Sequence, residues 1–257
     1  MPSARIEDQG DRMVVVNMNA KRRGVLSPDL YAAITEAVEQ AAQPRIRAVI
    51  LTSEGGFFCA GGDLNVLFNR QGMGEDERRA QIEKLHDRIR ALRACPVPVI
   101  AAIEGGAAGA GLSLALACDL IVAAEDAQFT AAYVKAGLVP DGGLTASLAR
   151  CLPRPLAMEM CLLGRSVGAD RMAALGAVNL LTKPGGAVAA AQELADTLAR
   201  GPRDTQGAIR RMVASAYDLS EAEQLSRERD AMARATGSPE AAEGIAAFLE
   251  KRTPDWS

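Results

Sequence analysis

Two short segments built from glycine and alanine are the parts of this sequence best suited to chemistry. The loop at residues 105–111 contains only these two residue types, and the turn at residues 60–62 reads Ala60-Gly61-Gly62. A loop without bulky side chains that leads into a helix start leaves backbone N–H groups unpaired and accessible. Such groups can hold an anionic oxygen. The two segments therefore predict a site at which negative charge is stabilised.

Each of these turns follows an apolar segment that reads as a strand, at residues 48–52 and 97–103. A short helix at 112–118 and another strand at 120–124 follow the second turn. Ligands of α/β sheets bind beyond the carboxyl ends of the strands. Two turns after neighbouring strands can aim two N–H groups at one point, which is the geometry of an oxyanion hole. The alternative is that the glycines serve only tight turns.

The order of predicted elements indicates an α/β fold. Strands at 13–18 and 47–52 alternate with helices that begin at Pro28 and at Gly74, and the strands are too apolar to have one solvated face. From residue 187 onward the pattern predicts only helices, at 187–200, 205–217, 221–236 and 239–252. We therefore predict an α/β core over residues 1–200 and a helical region over 201–257.

Composition excludes several classes of function. The chain has 257 residues and a net charge of −3, so it has no global basic field for nucleic acid or an anionic membrane. Its five cysteines are widely spaced, and its single histidine, His86, is interpreted as part of a solvated helix face. We expect no disulfide framework and no metal site. Without a signal peptide or membrane span, the protein is expected to be cytoplasmic.

Four motifs in order give the chain a specific resemblance to a known family. They are FCAGGDL at 58–64, PVIAAIEG at 98–105, AGAG at 108–111 with LALACD at 114–119, and GLVPDGG at 137–143. Together they resemble the enoyl-CoA hydratase/isomerase (crotonase) family over essentially the whole chain. The resemblance implies a spiral of ββα repeats with a C-terminal helical trimerisation region. It also implies acyl-CoA thioester substrates, with coenzyme A as part of the substrate and no separate cofactor, and a homotrimer or dimer of trimers.

By motif position, the resemblance implies that the backbone N–H groups of Gly62 and Ala110 are the two oxyanion-hole donors. Family hydratases are similar to one another in having two glutamates, and those positions fall here on Ser113 and Tyr133. Hydration needs one group to activate water and another to deliver a proton. Neither residue is a carboxylate, so ordinary hydratase activity is not expected. We predict that Ser113 and Tyr133 shape the substrate pocket.

One carboxylate remains on an active-site motif, namely Asp141. It replaces a glycine of the usual pattern, which resembles the phenylacetate-pathway isomerases of epoxyacyl-CoA substrates. The amino-acid sequence as a whole is similar to the sequences of alternative-type oxepin-CoA hydrolases. The resemblance implies that Asp141 moves protons near the thioester. The alternative is that Asp141 caps the helix beginning at Gly142 or Gly143, and both roles can coexist.

Further residues are predicted to bind the coenzyme A part of the substrate. Three adjacent cations lie in the loop that family members use near the phosphates, although a solvated loop is the alternative. The turn after them is expected to face adenine through backbone groups, and a C-terminal motif resembles one that reaches the nucleotide from a neighbouring subunit. In order, these residues are Lys21, Arg22 and Arg23; Ala60, Asp63 and Leu64; and Phe248 and Lys251.

The predicted function is an acyl-CoA isomerase that shifts a double bond or acts on an epoxide or oxepin. Two alternatives stay open: an enoyl-CoA hydratase of fatty-acid or aromatic-acid degradation, and a non-catalytic binder of CoA thioesters. A dinucleotide-binding turn around Gly109 ranks below these, because its third glycine position is Leu114.

Overall fold

The computed structural model describes residues 2–256, which form nine strands and eleven α-helices over that range. The strands are β1 (Ala4–Asp8), β2 (Arg12–Asn17), β3 (Ala48–Ser53), β4 (Val99–Ile103), β5 (Gly106–Ala108), β6 (Leu120–Ala124), β7 (Gln128–Thr130), β8 (Ser166–Gly168) and β9 (Leu180–Thr182). The helices are α1 (Pro28–Gln40), α2 (Leu64–Asn69), α3 (Glu75–Ala94), α4 (Ala110–Ala115), α5 (Leu144–Cys151), α6 (Arg154–Leu163), α7 (Ala169–Ala174), α8 (Ala187–Ala199), α9 (Arg203–Ser215), α10 (Glu221–Thr236) and α11 (Pro239–Glu250). Short 3-10 turns lie at Ala20–Arg22, Arg70–Gly72 and Ala132–Ala136.

The strands form two sheets. The larger has the order β1-β2-β3-β4-β6-β9, in which only the β1–β2 pair is antiparallel. The smaller has the order β5-β7-β8. Parallel neighbours need crossover connections that cover the sheet, which explains why the strands are apolar without alternation. The predicted α/β class is confirmed.

The larger sheet divides its side chains between two hydrophobic cores. Val14 and Val16 of β2 face the alanines of α8, whereas Met13 and Val15 face the core shared with α1, α3 and α4. Because successive strand residues point to opposite faces, one apolar segment serves both cores. Alanines at positions 187, 191 and 195 give α8 a small-residue face that lies close to the sheet.

Predicted element positions differ from the observed ones at two places near the glycine loop. The strand predicted from residue 97 begins at Val99, since Pro96 and Pro98 have no N–H to donate to a sheet. The helix predicted at 112–118 begins earlier, at Ala110, because Gly109 adopts a φ of 53° and turns the chain directly into the helix. The three-residue strands β5, β7, β8 and β9 are too short for the sequence pattern to predict.

The C-terminal helices lie where the sequence predicts them, to within about two residues at each end. Arg210 of α9 is only 7% exposed and anchors this region to the core. Its guanidinium donates to Asp119 Oδ2 at 2.7 Å, to Leu92 O at 2.7 Å and to Cys95 O. One buried cation thus satisfies the carbonyls at the end of α3. The boundary at residue 200 stays a prediction.

Candidate active site

A cavity of about 780 Å³ lies beyond the carboxyl ends of β3 and β4. Its walls come from the turn after β3, helix α2, the turn before α4, the start of α1, the middle of α3 and the segment that leads into α5. The volume lies within the range of small-molecule sites. Gly62, Ala110 and Asp141, the three residues with predicted catalytic roles, all line it.

The two glycine turns run side by side at one end of this cavity. Cys59 and Ala107 form a parallel bridge, and Ala108 N–H donates to Cys59 O at 2.9 Å. Gly62 lies three residues after Cys59, and Ala110 lies three residues after Ala107. The pairing of Cys59 with Ala107 therefore brings Gly62 and Ala110 to the same level of the two turns. Within residues 2–256, neither of their N–H groups has a hydrogen-bond acceptor. The arrangement leaves two backbone donors available to a ligand oxygen.

Glycine is required where the turns touch. Gly61 has a φ of +91°, and a Cβ placed on it would lie 2.7 Å from Ala108 O and 3.0 Å from Ala110 N. A Cβ on Gly111 would lie 2.2 Å from Cys59 O. Any side chain at these two positions would force the turns apart. The small residues seen in the sequence therefore serve backbone packing as well as access to the N–H groups.

Two hydrogen bonds hold Asp141, one to its side chain and one to its backbone carbonyl. Tyr133 Oη donates to Asp141 Oδ1 at 2.7 Å, and Ser113 Oγ donates to Asp141 O at 2.8 Å. Burial and the charge of Asp141 raise the pKa of Tyr133 above its ordinary value, so the phenol stays protonated and donates. The carboxylate is oriented from one side while the residue lines the cavity.

The proposed capping role of Asp141 is wrong. Helix α5 begins at Leu144 with Gly143 at the N-cap position, and no side chain caps it. Asp141 contributes only its carbonyl there, which accepts from Leu144 N–H at 3.2 Å. Since the side chain is engaged by Tyr133 instead, it is not used for helix capping.

Ser113 and Tyr133, which were predicted to shape the pocket, occupy different depths. Tyr133 lines the cavity, whereas Ser113 is fully buried on α4 and lies outside the cavity wall. Ser113 Oγ is 3.2 Å from Tyr133 Oη. Its position is therefore behind the tyrosine, where it supports Tyr133 and the Asp141 backbone.

The prediction that His86 lies on a solvated helix face is only partly right, because 33% of its side chain is exposed while its ring nitrogens contact other residues. His86 Nε2 accepts a hydrogen bond from Gly142 N–H at 3.2 Å, and its Nδ1 lies 3.3 Å from Glu83 Oε2. Acceptance at Nε2 places the ring proton on Nδ1, facing the glutamate. His86 thus holds the residue next to Asp141. The available signal was helical spacing, since His86 shares a face of α3 with Ile82, Leu85 and Ile89.

The three predicted phosphate-binding cations separate in the structure. Arg22 lines the cavity and pairs with Asp63 at 2.7 Å, and this pairing lowers the pKa of Asp63. Arg23 stacks over the Phe57 ring with its guanidinium carbon 4.0 Å from the ring centroid, and neither Arg23 nor Lys21 lines the cavity. Three cations that line it were not predicted; they are Arg70, Lys84 and Lys135.

The remaining predicted substrate contacts divide between the cavity and the distant C-terminus. Ala60, Asp63 and Leu64 all line the cavity, and Asp63 also caps α2 by accepting from Asn65 N–H at 3.0 Å. Phe248 is 83% exposed, and neither it nor Lys251 lines the cavity of its own chain. Their role in a neighbouring subunit's site stays a prediction.

The described residues, 2–256, hold no group of three or more His, Cys, Asp or Glu side chains that could bind a metal ion. No helix within the same range is long and apolar enough to cross a membrane. The five cysteines are free thiols. Burial raises the pKa of the Cys59 thiol, beside the glycine turns, to about 12, so it is protonated at neutral pH.

Comparison with known proteins agrees with this geometry. The enoyl-CoA hydratase/isomerase family model matches residues 9–257. A 1,2-epoxyphenylacetyl-CoA isomerase of Escherichia coli is 34% identical over 92% of this chain and 91% of its own. A 2,3-dehydroadipyl-CoA hydratase of the same organism is 31% identical over 95% and 94%. The crystal structure of an enoyl-CoA hydratase from Polaromonas sp. JS666 has a TM-score of 0.94 and 41% identity, with 98% of both chains covered.

These similarities cover nearly the full length of the chain and of its relatives. They confirm the crotonase fold that the four motifs predicted, including the helical C-terminal region. The relatives' names include both hydratases and an isomerase, all acting on acyl-CoA compounds. The chain belongs to the enoyl-CoA hydratase/isomerase family and is an acyl-CoA-processing enzyme of that family.

Proposed function

We propose that this enzyme is an isomerase of acyl-CoA thioesters that works with two backbone amides and one carboxylate. The observation that carries the proposal is the placement of Asp141 in the same cavity as Gly62 and Ala110, with one of its oxygens oriented by Tyr133. A single acid can remove a proton from one carbon and return it to another. Isomerisation needs no more than this.

The acidic residues that line the cavity support a mechanism with a single acid/base. Two acidic residues line the cavity, Asp63 and Asp141. Asp63 is engaged by Arg22 at 2.7 Å and by the start of α2. Asp141 has no cation partner among residues 2–256. Asp141 is therefore the acid available for proton transfer.

In the proposed double-bond shift, the thioester oxygen of a 3-enoyl-CoA accepts hydrogen bonds from the N–H groups of Gly62 and Ala110. The Asp141 carboxylate takes a proton from carbon 2, and the C–H electron pair moves into an enolate whose oxygen the two amides stabilise. The resulting Asp141 carboxyl returns the proton to carbon 4. The double bond then lies between carbons 2 and 3, and the carboxylate is regenerated.

Hydration is the second candidate, favoured by the hydratase names of several relatives. It requires activation of a water molecule in addition to proton delivery. The two positions that the family resemblance assigns to hydratase glutamates hold Ser113, which is buried, and Tyr133, which donates to Asp141. This site offers one carboxylate for two tasks, so we place isomerisation ahead of hydration.

The isomerase proposal extends to acyl groups that carry an epoxide or an oxepin ring. The Escherichia coli relative is named a 1,2-epoxyphenylacetyl-CoA isomerase and matches this chain over nearly its full length. The cavity of about 780 Å³ has room for a ring-bearing acyl group. The proposed roles of the amides and of Asp141 are the same for that substrate class.

The test is to measure the conversion of 3-hexenoyl-CoA to 2-hexenoyl-CoA by the absorbance of the conjugated thioester. Asp141→Asn retains the side-chain shape and an oxygen that can accept from Tyr133. We expect it to lower kcat by ~10²–10⁴-fold, the usual contribution of a positioned acid/base. Asp126→Asn, at an exposed aspartate, is the matched control and should keep the wild-type rate.

Three outcomes separate the candidate functions. Loss of turnover in Asp141→Asn alone supports the isomerase proposal. Appreciable hydration of crotonyl-CoA by the wild type, with no 3-enoyl turnover, would assign the enzyme to the hydratases. Equal rates for the wild type and both variants would remove Asp141 from the mechanism, and binding without any turnover would indicate a non-catalytic CoA-thioester binder.

A further inference from the structure

The cavity contains a second tyrosine that the proposed mechanism does not use. Tyr31 lies in the first turns of α1, is partly buried against the hydrophobic core, and lines the same cavity as Asp141. Its ring packs beneath Arg88, whose guanidinium carbon is 5.5 Å from the ring centroid. The Tyr31 ring is thereby held between the hydrophobic core and the Arg88 guanidinium.

The Tyr31 hydroxyl differs from that of Tyr133 in having no hydrogen-bond partner among the described residues. Tyr133 donates to Asp141 at 2.7 Å, whereas Tyr31 Oη makes no hydrogen bond within residues 2–256. The Tyr31 hydroxyl is also absent from the set of fully buried side-chain atoms that lack a hydrogen-bond partner. A polar group on a mostly apolar wall is retained at a cost unless a ligand or water pairs with it. The hydroxyl is therefore open to a ligand.

The electrostatic surroundings keep this hydroxyl protonated, so that it is a hydrogen-bond donor. Burial, and to a smaller extent the negative charge of Asp141, raise the pKa of Tyr31 to about 12. At neutral pH the phenol is protonated and can donate a hydrogen bond, but it cannot act as a base. Tyr31 and Asp141 line the same cavity, so a ligand bound beside the acid has this donor in its surroundings.

We propose that Tyr31 is a specificity-determining residue whose hydroxyl donates a hydrogen bond to an oxygen atom carried by the acyl group. The inference rests on the proposed function, since it assumes an acyl-CoA bound with its reactive carbons beside Asp141. It deepens that function by selecting oxygen-bearing acyl groups over plain hydrocarbon ones. A site with an unpaired donor disfavours a ligand that lacks the matching acceptor.

The test uses inert ligands, so that its result does not depend on turnover. Dissociation constants are measured by calorimetry for phenylacetyl-CoA and for its 2-, 3- and 4-hydroxy derivatives. The wild type should bind at least one hydroxy derivative ~2–10-fold more tightly than the parent, which is the range of one neutral hydrogen bond. Tyr31→Phe keeps the ring and its packing under Arg88, and it should bind all four ligands equally.

Tyr217→Phe is the matched control. Tyr217 also lies beneath an arginine, with the Arg150 guanidinium carbon 5.5 Å from its ring centroid, but it is 70% exposed and lies outside the cavity. This variant should keep the wild-type preference. Thermal unfolding of both variants should match the wild type, because each loses only a hydroxyl group.

The outcomes distinguish this inference from the proposed function. If 3-hexenoyl-CoA is converted but Tyr31→Phe keeps the wild-type preference for a hydroxy derivative, the Tyr31 inference is overturned and the isomerase proposal stands. The same conclusion follows if the wild type shows no preference. If 3-hexenoyl-CoA is not converted but the preference exists and disappears in Tyr31→Phe, the tyrosine contact is supported and the reaction must be another one. Failure of all four ligands to bind would overturn the inference.

Discussion

Gly61→Ala tests whether the two glycine turns must touch for the enzyme to work. The added Cβ would lie 2.7 Å from Ala108 O and 3.0 Å from Ala110 N. Both are backbone atoms, so no side-chain rotation relieves the contact. The two turns must separate, and the N–H groups of Gly62 and Ala110 then no longer converge on one oxygen. We expect a loss of both stability and rate.

The expected loss has two parts that a control variant separates. An alanine in the left-handed region costs about 1–2 kcal/mol of folding free energy even in open space. Gly10 has the same φ of +91°, and nothing lies within 4 Å of a Cβ built there. Gly10→Ala therefore carries the backbone cost without the contact. The additional loss of stability in Gly61→Ala measures the clash between the turns.

The catalytic part should be larger than the structural one. Removal of one oxyanion donor typically lowers kcat by ~10²–10³-fold. We expect Gly61→Ala to lose at least this factor in the 3-hexenoyl-CoA assay, whereas Gly10→Ala keeps the wild-type kcat. Denaturant unfolding gives the folded fraction of each variant, to which the rates are normalised.

One result would refute this reasoning. If Gly61→Ala and Gly10→Ala have the same kcat per folded molecule, contact between the turns is not needed for the reaction. The assignment of Gly62 and Ala110 as a pair of donors would then be wrong, whatever the stability of the two variants.

Two further predictions concern positioning and stability. His86→Phe removes the acceptor of the Gly142 N–H at 3.2 Å, so the neighbouring carboxylate should lose its fixed position and kcat should fall about tenfold while KM changes little; a normal kcat for 3-hexenoyl-CoA would contradict this. Arg210→Met removes the cation partner of the Asp119 carboxylate, which still accepts from Val99 N–H, and removes the guanidinium donors to the carbonyls of Leu92 and Cys95; it should cost about 3–5 kcal/mol in denaturant unfolding. The exposed Arg211→Met is its control, and equal stabilities of the two variants would disprove the anchoring role.

Local patterns allowed much of the fold to be predicted. The apolar runs of β2, β3, β4 and β6 are recognisable because a strand buried on both faces needs no polar alternation. The four C-terminal helices follow from their periodicity, and α10 matches its predicted bounds at residues 221–236. Ser27 caps α1 through its hydroxyl, which accepts from Leu30 N–H at 3.2 Å, and Pro28 is the first residue of the helix, as predicted. These features depend on neighbours along the chain.

The site was predicted only in part. The motifs placed Gly62, Ala110 and Asp141 correctly on one cavity, because short segments with close backbone packing tolerate few residue types. Two residues near Asp141, His86 beside its neighbour Gly142 and Tyr31 on the same cavity, could not be derived in the same way. His86 and Tyr31 come from helices more than 50 residues away in sequence, and a lone histidine or tyrosine on an amphipathic helix has no local signature.

Amino-acid order alone was enough to establish the fold class and the glycine turns, because these depend on burial periodicity and on positions where a Cβ cannot fit, and the four ordered motifs were enough to indicate the family by resemblance. The orientation of Asp141 was decided by contacts across distant parts of the chain, through Tyr133, Ser113 and the His86–Gly142 bond. The same holds for the separation of Arg22 from Arg23 and for the open Tyr31 hydroxyl. Such contacts follow from packing in three dimensions, in which small changes in helix position determine which polar groups meet.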